Sequence, residues 1–284
     1  MFSLFSSFIA KRKNTLFTHL LHQNHLHLEL QPCFWGRQMY ISFEFLQYRF
    51  TKKQVQPSVP KIIYEDKYLL AVNKPQGIVS EHELHLRFSV ESMALDYCRS
   101  REKHPQKCFI GMPQRLDRPV SGVLLFAKKR SVLKMLVETF TRRELDKSYY
   151  AVVETRPEKD EAELVNWLVK DTLQRKAILH KTQVKDSVRA VLRYQFISQN
   201  NFGTLLKVKL VTGKFHQIRA QLAHIGSPII GDDRYGSTKG YIENAVCLHA
   251  RSLEIVHPVT NEPLKLIAET PEDAIWNSFA EYFQ

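Results

Sequence analysis

Short strand-like runs follow one another along most of this 284-residue chain, and few are separated by a pattern long enough for a crossover helix. Residues 190–197 and 204–211 flank a short turn, as do residues 252–256 and 264–268, and both pairs predict β-hairpins. A parallel neighbour would instead require a crossover connection. The order of the runs therefore predicts an α+β fold with a mixed, mostly antiparallel central sheet, flanked by helices and loops.

Three segments carry apolar residues at helical spacing. Ser89 is expected to cap the first helix, and the second begins near Ser131. The third runs from about His216 and ends at Gly226, with Pro228 two residues beyond. The wholly apolar run 123–127 lies between the first two helices and predicts a buried strand.

The charge balance points to an anionic partner. The chain has 41 Lys and Arg against 29 Asp and Glu, a formal net charge of +12, and nucleic acid is the first candidate for such a balance. Its four cysteines form no C-x-x-C pair, which argues against a zinc ribbon or a disulfide framework and favours a reducing compartment. No apolar run approaches the roughly 18 residues of a membrane span, so no membrane association is expected.

Residues 1–60 differ in composition from the rest of the chain. The first 28 residues hold no acidic side chain, while residues 11–13 form a basic cluster. Two interpretations remain open: an organellar targeting peptide, or an upstream extension that does not fold, with Met39 as an alternative start. Residues 51–60 are typical of a linker, and a single domain is predicted over residues 61–284.

Residues 114–122 are the first segment that could carry chemistry. Asp117 lies between Arg115 and Arg118, directly before the apolar run 123–127. Neighbouring cations lower the pKa of a carboxyl group, and an ionised aspartate is what nucleophilic or base catalysis requires. On residue types alone, a structural arginine–aspartate pair in a tight turn is the preferred interpretation.

Residues 212–219 are the second such segment. Gly213 leads into the N-terminus of a predicted helix, where free backbone N–H groups can face an anion. Lys214, His216 and Arg219 add side-chain donors, although a basic helix start with solvated side chains gives the same pattern. The phosphate loop, the dinucleotide fingerprint and the G-x-S-x-G nucleophile motif are all absent from the sequence.

Taken in order, these segments resemble the RluA-type RNA pseudouridine synthases. The family motif His-Arg-Leu-Asp-x-x-Thr-Ser-Gly corresponds to residues 114–122, and Lys-x-Tyr-x-Ala corresponds to residues 147–151. The family segment Gly-Arg-Thr-His-Gln-Ile-Arg corresponds to residues 213–219. Three further matches keep the family order: Asn-Lys-Pro-x-Gly at 73–77, a stretch ending in Gly-x-Pro-Ile-x-Gly-Asp at 224–232, and Leu-His-Ala at 248–250.

Four positions depart from the family motifs. Gln114 replaces the usual His, Val120 the usual Thr, and Lys214 and Phe215 the usual Arg-Thr pair. The residues that carry the chemistry in the family are retained. The departures therefore bear on the identity of the substrate more than on the presence of activity.

The resemblance implies that residues 61–284 form a catalytic domain that converts uridine in RNA to pseudouridine. Asp117 would be the essential carboxylate, and both attack on C1′ and removal of the C2′ proton stay open as its role. Arg219 would pair with Asp117 and keep it ionised, and Tyr149 would stack on the uracil. Arg115 would help to occupy the gap left when the target base flips out of its stack, which the chemistry requires.

The family match also implies the partners. RNA is expected, either rRNA or tRNA, with no metal and no cofactor because the rearrangement is redox-neutral, and we expect a cytoplasmic monomer. The alternative from another functional class is a catalytically silent RNA-binding protein or RNA chaperone on the same fold. The remaining positions expected to bind RNA or substrate are Lys74, Lys147, Lys214, His216 and Gln217.

Overall fold

Ten β-strands and four α-helices lie in residues 60–82 and 88–283, the parts of the chain that the computed structural model describes. The strands are β1 (Lys61–Glu65), β2 (Leu69–Lys74), β3 (Ser121–Ala127), β4 (Leu145–Val153), β5 (Glu161–Asp171), β6 (Lys176–His180), β7 (Val188–Gln199), β8 (Thr204–Leu210), β9 (Leu248–Val256) and β10 (Pro263–Ile267). The helices are α1 (Val90–Arg101), α2 (Arg130–Arg142), α3 (Gln217–His224) and α4 (Ala274–Asn277).

All ten strands belong to one sheet, which confirms the predicted fold class. The strand order is β1-β2-β3-β9-β4-β8-β7-β5-β6, and β10 pairs with β9. Strands β3 and β9 are parallel over two residue pairs, whereas all the other paired strands of the described sheet are antiparallel. The predicted hairpins are β7–β8 and β9–β10. The β5–β6 hairpin was not predicted, because apolar residues occur on both faces of β5 between Leu164 and Val169.

Strand β3 is buried along its whole length because helices cover both faces of the sheet there. Its side chains alternate between two apolar clusters, as the pleat requires. Leu124 and Phe126 pack on one face, in a cluster with Val90 and Ala94 of α1. On the other face, Val123 and Leu125 pack in a cluster that includes Val132 and Leu136 of α2.

The helix starts follow the local sequence signals. Ser89 caps α1 as predicted: its hydroxyl accepts from the Ser92 N–H, and the Ser92 hydroxyl accepts from the Ser89 N–H. Helix α3 begins one residue after His216, which has a left-handed φ of 51°. That backbone conformation turns the chain sharply from the preceding loop into the helix.

Gly122 allows β3 and β9 to approach each other closely. It has a φ of +117°, and a Cβ atom at this position would lie 2.6 Å from the backbone nitrogen of Ala250. We expect Gly122→Ala to lower the free energy of unfolding by about 3 kcal/mol through overpacking against backbone. Urea unfolding measures the change. The matched control is Gly236→Ala, where φ is +91° and no atom lies within 4 Å of the added Cβ. This variant should lose only about 1–2 kcal/mol of unfolding free energy, from backbone strain. Equal losses in the two variants would contradict the steric argument.

The predicted N-terminal extension and linker lie outside the described residues except for Pro60. The domain boundary between residues 60 and 61 therefore stays a prediction.

None of the helices within residues 60–82 and 88–283 combines the length and the apolar character needed to cross a membrane.

Candidate active site

The loop of residues 113–120 presents Asp117 and is tied down on both sides of this residue. On one side, the Ser80 hydroxyl donates to the carbonyl of Leu116 at 2.7 Å and accepts from its N–H at 3.1 Å. On the other side, Gly77 N–H donates to the Arg118 carbonyl at 2.9 Å, and Arg118 Nε donates back to the Gly77 carbonyl at 3.0 Å. These hydrogen bonds therefore fix the position of the Asp117 backbone, from which its carboxylate extends.

Lys74, which the sequence predicts to bind RNA or substrate, lies beneath this loop. Its side chain is fully buried, and Nζ donates to the carbonyls of Pro75, Arg118 and Val120 at 2.9, 3.1 and 2.7 Å. All three N–H bonds of the ammonium are thus occupied. Burial lowers the pKa of Lys74 to about 7, an effect that the negative charge of Asp117 opposes. Lys74 therefore supports the loop from below and has no donor left for the predicted contact with RNA or substrate.

Arg219 brings two carboxylates together. It projects from α3 and lies 3.3 Å from Asp117 Oδ2 through Nη1. Its Nε and Nη2 donate to the two oxygens of Asp232 at 2.7 Å each. Arg219 and Asp232 are only 5% and 1% exposed, so this bidentate pair is removed from water.

His216 is the second side chain beside Asp117. Its Nε2 lies 3.5 Å from Asp117 Oδ2, and its Nδ1 lies 3.0 Å from the hydroxyl of Tyr235. That hydroxyl accepts from the N–H of Ala177 at 2.7 Å, so its own proton is free for Nδ1. The hydrogen-bond network therefore assigns the imidazole proton to Nε2, facing Asp117. Burial, followed by the charge of Arg219, lowers the pKa of His216 to about 3, so the ring is neutral.

A neutral His216 has a direct consequence in solution. Its ring signals should not titrate between about pH 5 and 8, where an ordinary histidine gains its proton. Buried His249 should behave in the same way, since burial lowers its pKa to about 4. NMR of the imidazole resonances, assigned with His216→Gln and His249→Gln, measures this. A midpoint near pH 6.5 for His216 would contradict the effect assigned to burial and to the charge of Arg219.

Asp117 does not have the lowered pKa that its flanking arginines suggest from sequence. Burial raises the pKa of Asp117 above the ordinary aspartate value, and the positive charges of Arg219, Lys74 and Arg115 oppose the shift without reversing it. Arg219 lies 3.3 Å from Asp117 and gives its two shorter bonds, of 2.7 Å, to Asp232. The loss of water around the carboxylate therefore outweighs the charge of its nearest cation.

Tyr149 and Tyr150 lie on opposite faces of β4, as strand alternation predicts. Tyr149 faces the same cavity as Asp117 and is 8% exposed. Tyr150 instead packs on the ring of Phe283 and donates to the carbonyl of Tyr282 at 3.3 Å. Burial, with the nearby negative charge of Asp117, raises the pKa of the Tyr149 hydroxyl, which therefore keeps its proton.

A cavity of about 920 Å³ joins most of the predicted positions. Arg115 lies at its mouth, where Nη1 donates to Glu81 at 2.8 Å. The amide of Gln217 is used locally: its oxygen accepts from the Thr212 hydroxyl and from the N–H of Lys214, which holds the loop before α3. The predicted positions that line the cavity are Asp117, Arg219, Tyr149, Arg115, Lys147, Lys214, His216 and Gln217.

Most of the segments that build this site lie within a known protein family's match. The profile of the RNA pseudouridylate synthase family matches residues 68–224, which include the Asp117 loop, β4 and α3. The chain belongs to the RNA pseudouridylate synthase family. The named relatives below also confirm the RluA-type grouping that the motifs predict.

Two kinds of curated relative match this pseudouridylate synthase family member. The ribosomal large subunit pseudouridine synthase C of Vibrio vulnificus is 33% identical over 225 residues, which are 74% of this chain and 66% of the relative. The Escherichia coli K12 protein of the same name is 34% identical over 222 residues, covering 75% of this chain and 66% of that protein. The chain thus spans slightly less than two thirds of these relatives. The tRNA pseudouridine synthase C of Vibrio cholerae is 30% identical over 241 residues, covering 78% of this chain and 95% of that protein.

Solved structures agree on the fold. Human RNA pseudouridylate synthase domain containing 4 superposes with a TM-score of 0.62 at 21% identity, covering 75% of this chain and 89% of that one. Human RNA pseudouridylate synthase domain containing 1 gives a TM-score of 0.61 at 18% identity, covering 74% and 83%. At these identities the likeness concerns the sheet and its connections.

Two residues of this candidate site were not assigned from sequence. Asp232 stands inside the motif match at 224–232, but nothing in the spacing shows that it meets Arg219, 13 positions earlier. Tyr235 lies in a short 3-10 helix beyond that match, and its contacts with His216 and Ala177 join three separate segments. The motif membership of Asp232 was the one usable signal for either residue.

Proposed function

We propose that this protein is an RNA pseudouridine synthase that isomerises specific uridines in rRNA or tRNA. The observation that carries the proposal is the Asp117 carboxylate held 3.3 Å from Arg219, with Tyr149 lining the same cavity. The named relatives act on ribosomal or transfer RNA, which supports RNA as the substrate class. A cytoplasmic location and a monomeric state remain predictions.

The reaction breaks the N1–C1′ bond of uridine, turns the base while it stays bound and joins C5 to C1′. The C5 proton leaves and N1 gains a proton, so the reaction is redox-neutral and atoms balance. Asp117 can act on the sugar in two ways, by attack on C1′ or by removal of the C2′ proton. Both require its ionised form, aimed at the ribose, and the contact with Arg219 favours that form.

The cavity offers room for a nucleoside that has left its stack. Its volume of about 920 Å³ lies within the roughly 300–1,000 Å³ of small-molecule sites. The glycosidic carbon and C5 of uracil cannot be reached and exchanged inside a helix, so base flipping is part of the proposal. Tyr149 supplies an aromatic face in the cavity, and Arg115 at the mouth is placed to approach the strand that the base leaves.

The charges around the cavity support a polyanionic partner. Eight Lys and Arg residues line it, together with two aspartates. Four of the cations are paired with carboxylates: Arg115, Arg193, Lys209 and Arg219. The other four cations are Arg143, Lys147, Lys170 and Lys214. They have no carboxylate within salt-bridge distance among the described residues, so they are available to phosphates.

A direct assay tests the proposal. Transcribed rRNA and tRNA that contain no pseudouridine and carry uridine tritiated at C5 are incubated with the protein, because isomerisation releases the C5 hydrogen. Tritium release, with carbodiimide mapping of the modified positions, is the expected result. RNA binding without release or mapped sites would overturn the proposal in favour of a silent RNA-binding protein or RNA chaperone.

A further inference from the structure

Asp232 is the better partner of Arg219, although Asp117 is the residue to which the chemistry is assigned. The bond lengths from the guanidinium are 2.7 and 2.7 Å to Asp232 but 3.3 Å to Asp117. Asp232 is also the less exposed carboxylate, at 1% against 28% for Asp117. Asp232 therefore does more than fill space between α3 and the loop that follows it, because it holds the guanidinium that also reaches Asp117.

We propose that Asp232 is a positioning residue that aims Arg219 at Asp117 and, by sharing the guanidinium charge, sets the proton affinity of Asp117. This inference rests on the proposed function, because it assigns to Asp232 an influence on Asp117, the carboxylate proposed to react with the sugar. The experiment below separates the two by reading the titration of Asp117 independently of turnover.

The aiming part follows from the shape of the guanidinium. This group is planar, and Asp232 occupies the edge formed by Nε and Nη2, so Nη1 is left to point at Asp117. Asp232 is itself fixed, because its N–H donates to the carbonyl of Ile229 and its carbonyl accepts from the N–H groups of Tyr235 and Ser237. The guanidinium carbon also lies 5.2 Å from the centre of the Tyr235 ring. Arg219 therefore has one orientation available.

The charge part follows from the groups that face each carboxylate. Asp232 faces the Arg219 guanidinium, with Tyr235 and the neutral ring of His216 nearby. Arg219 is thus the cation that pairs with Asp232, and the same guanidinium also pairs with Asp117. The groups that face Asp117 are Arg219 from α3, His216 from the loop before α3, Lys74 from β2, Arg115 from its own loop, Tyr149 from β4 and Tyr235 from the 3-10 helix.

The test is Asp232→Asn, which keeps the size of the side chain and removes its charge. Aspartate carboxyl carbons are labelled with ¹³C, and the Asp117 signal is assigned with Asp117→Asn. We expect the midpoint of Asp117 to move about 1 pH unit lower, since Arg219 then acts on one carboxylate alone. Single-turnover rates should fall about 10²-fold because the aim of Arg219 is loosened, with RNA affinity retained and the acid limb of the rate profile moved to lower pH.

The matched control is Asp66→Asn. Asp66 accepts from the N–H groups of Tyr68 and Leu69 and lies 3.0 Å from His257 Nε2, and it does not line the cavity. This variant removes a structural carboxylate and should leave the Asp117 midpoint unchanged. An Asp117 midpoint that is the same in Asp232→Asn and the wild type overturns the proposal and makes Asp232 a structural residue only.

A second variant keeps the proposal testable if Asp232→Asn does not fold. Arg219→Lys retains the charge but offers a compact ammonium that cannot hold two carboxylates in a fixed plane. The buried Asp232 should then draw the ammonium away, and the midpoint of Asp117 should rise. A midpoint equal to or below that of the wild type would contradict the proposal. These titrations read the carboxylate itself, so they remain decisive even if the wild-type protein forms no pseudouridine.

Discussion

Asp117→Asn is expected to reduce the single-turnover rate of pseudouridine formation by about 10⁴-fold, the upper range for loss of a positioned acid, base or nucleophile. Asparagine keeps the side-chain shape and the loop contacts at Leu116 and Arg118, but it has no ionised oxygen to offer to the sugar. RNA affinity should stay near that of the wild type, because the variant leaves in place the four cavity cations that pair with no carboxylate in the described parts of the chain. Tritium release and filter binding on the same RNA measure the two quantities.

The pH dependence of the wild-type rate provides a second readout of the same residue. The proposed mechanism uses Asp117 in its ionised form. Because burial raises the pKa of Asp117, the rate should fall on acidification at a higher pH than the value of about 3.9 of an ordinary aspartate. The rate is lost as the pH drops through the folded-state pKa. An Asp117→Asn protein with wild-type rates would remove Asp117 from the mechanism. A wild-type rate that stays constant down to the ordinary aspartate value would contradict the raised pKa of Asp117.

Arg219→Met is expected to lower the free energy of unfolding by about 3–5 kcal/mol and to abolish activity as well. The stability loss arises from Asp232, which would remain 1% exposed without its cation. The activity loss arises from Asp117, which loses the nearest charge that favours its ionised form. Urea unfolding monitored by circular dichroism and single-turnover assays measure the two effects.

A double variant separates these two causes. Arg219→Met with Asp232→Leu replaces the buried ion pair by apolar groups, which is often close to neutral for stability. We therefore expect the double variant to recover most of the lost unfolding free energy while activity stays absent. A double variant that is as unstable as Arg219→Met alone would show that the stability loss has another origin than an unpaired Asp232.

The fold was predictable where the sequence carried local signals. The Ser89 cap, the wholly apolar run that becomes β3 and the two turns that join β7 to β8 and β9 to β10 each depend on neighbouring residues. The β5–β6 hairpin lacked such a signal because its central residues are apolar on both faces. The pairing of β3 with β9 brings together residues more than 100 positions apart, and no local pattern encodes it.

The site was predictable as a set of motifs but not as a network. The motif match supplied Asp117, Tyr149 and Arg219, and the structure brings all three to one cavity. The same match placed Lys74 among the positions expected to bind RNA or substrate, whereas its ammonium donates to three backbone carbonyls under the loop. A motif gives residue types and spacing, and both a surface lysine and a buried one satisfy it.

The order of apolar runs and turns in the sequence was sufficient for the class of fold, and its motifs were sufficient for the family and for the aspartate at its centre. Both depend on short-range regularities: the period of a strand, the residues of a turn, the order of a few short segments. The sign of the pKa shift of Asp117 depended on the folded chain. It reflects the balance between the water that burial removes from the carboxylate and the positive charges that Arg219, Lys74 and Arg115 bring near it. Such competition among groups distant in sequence exists only once folding has set their separations.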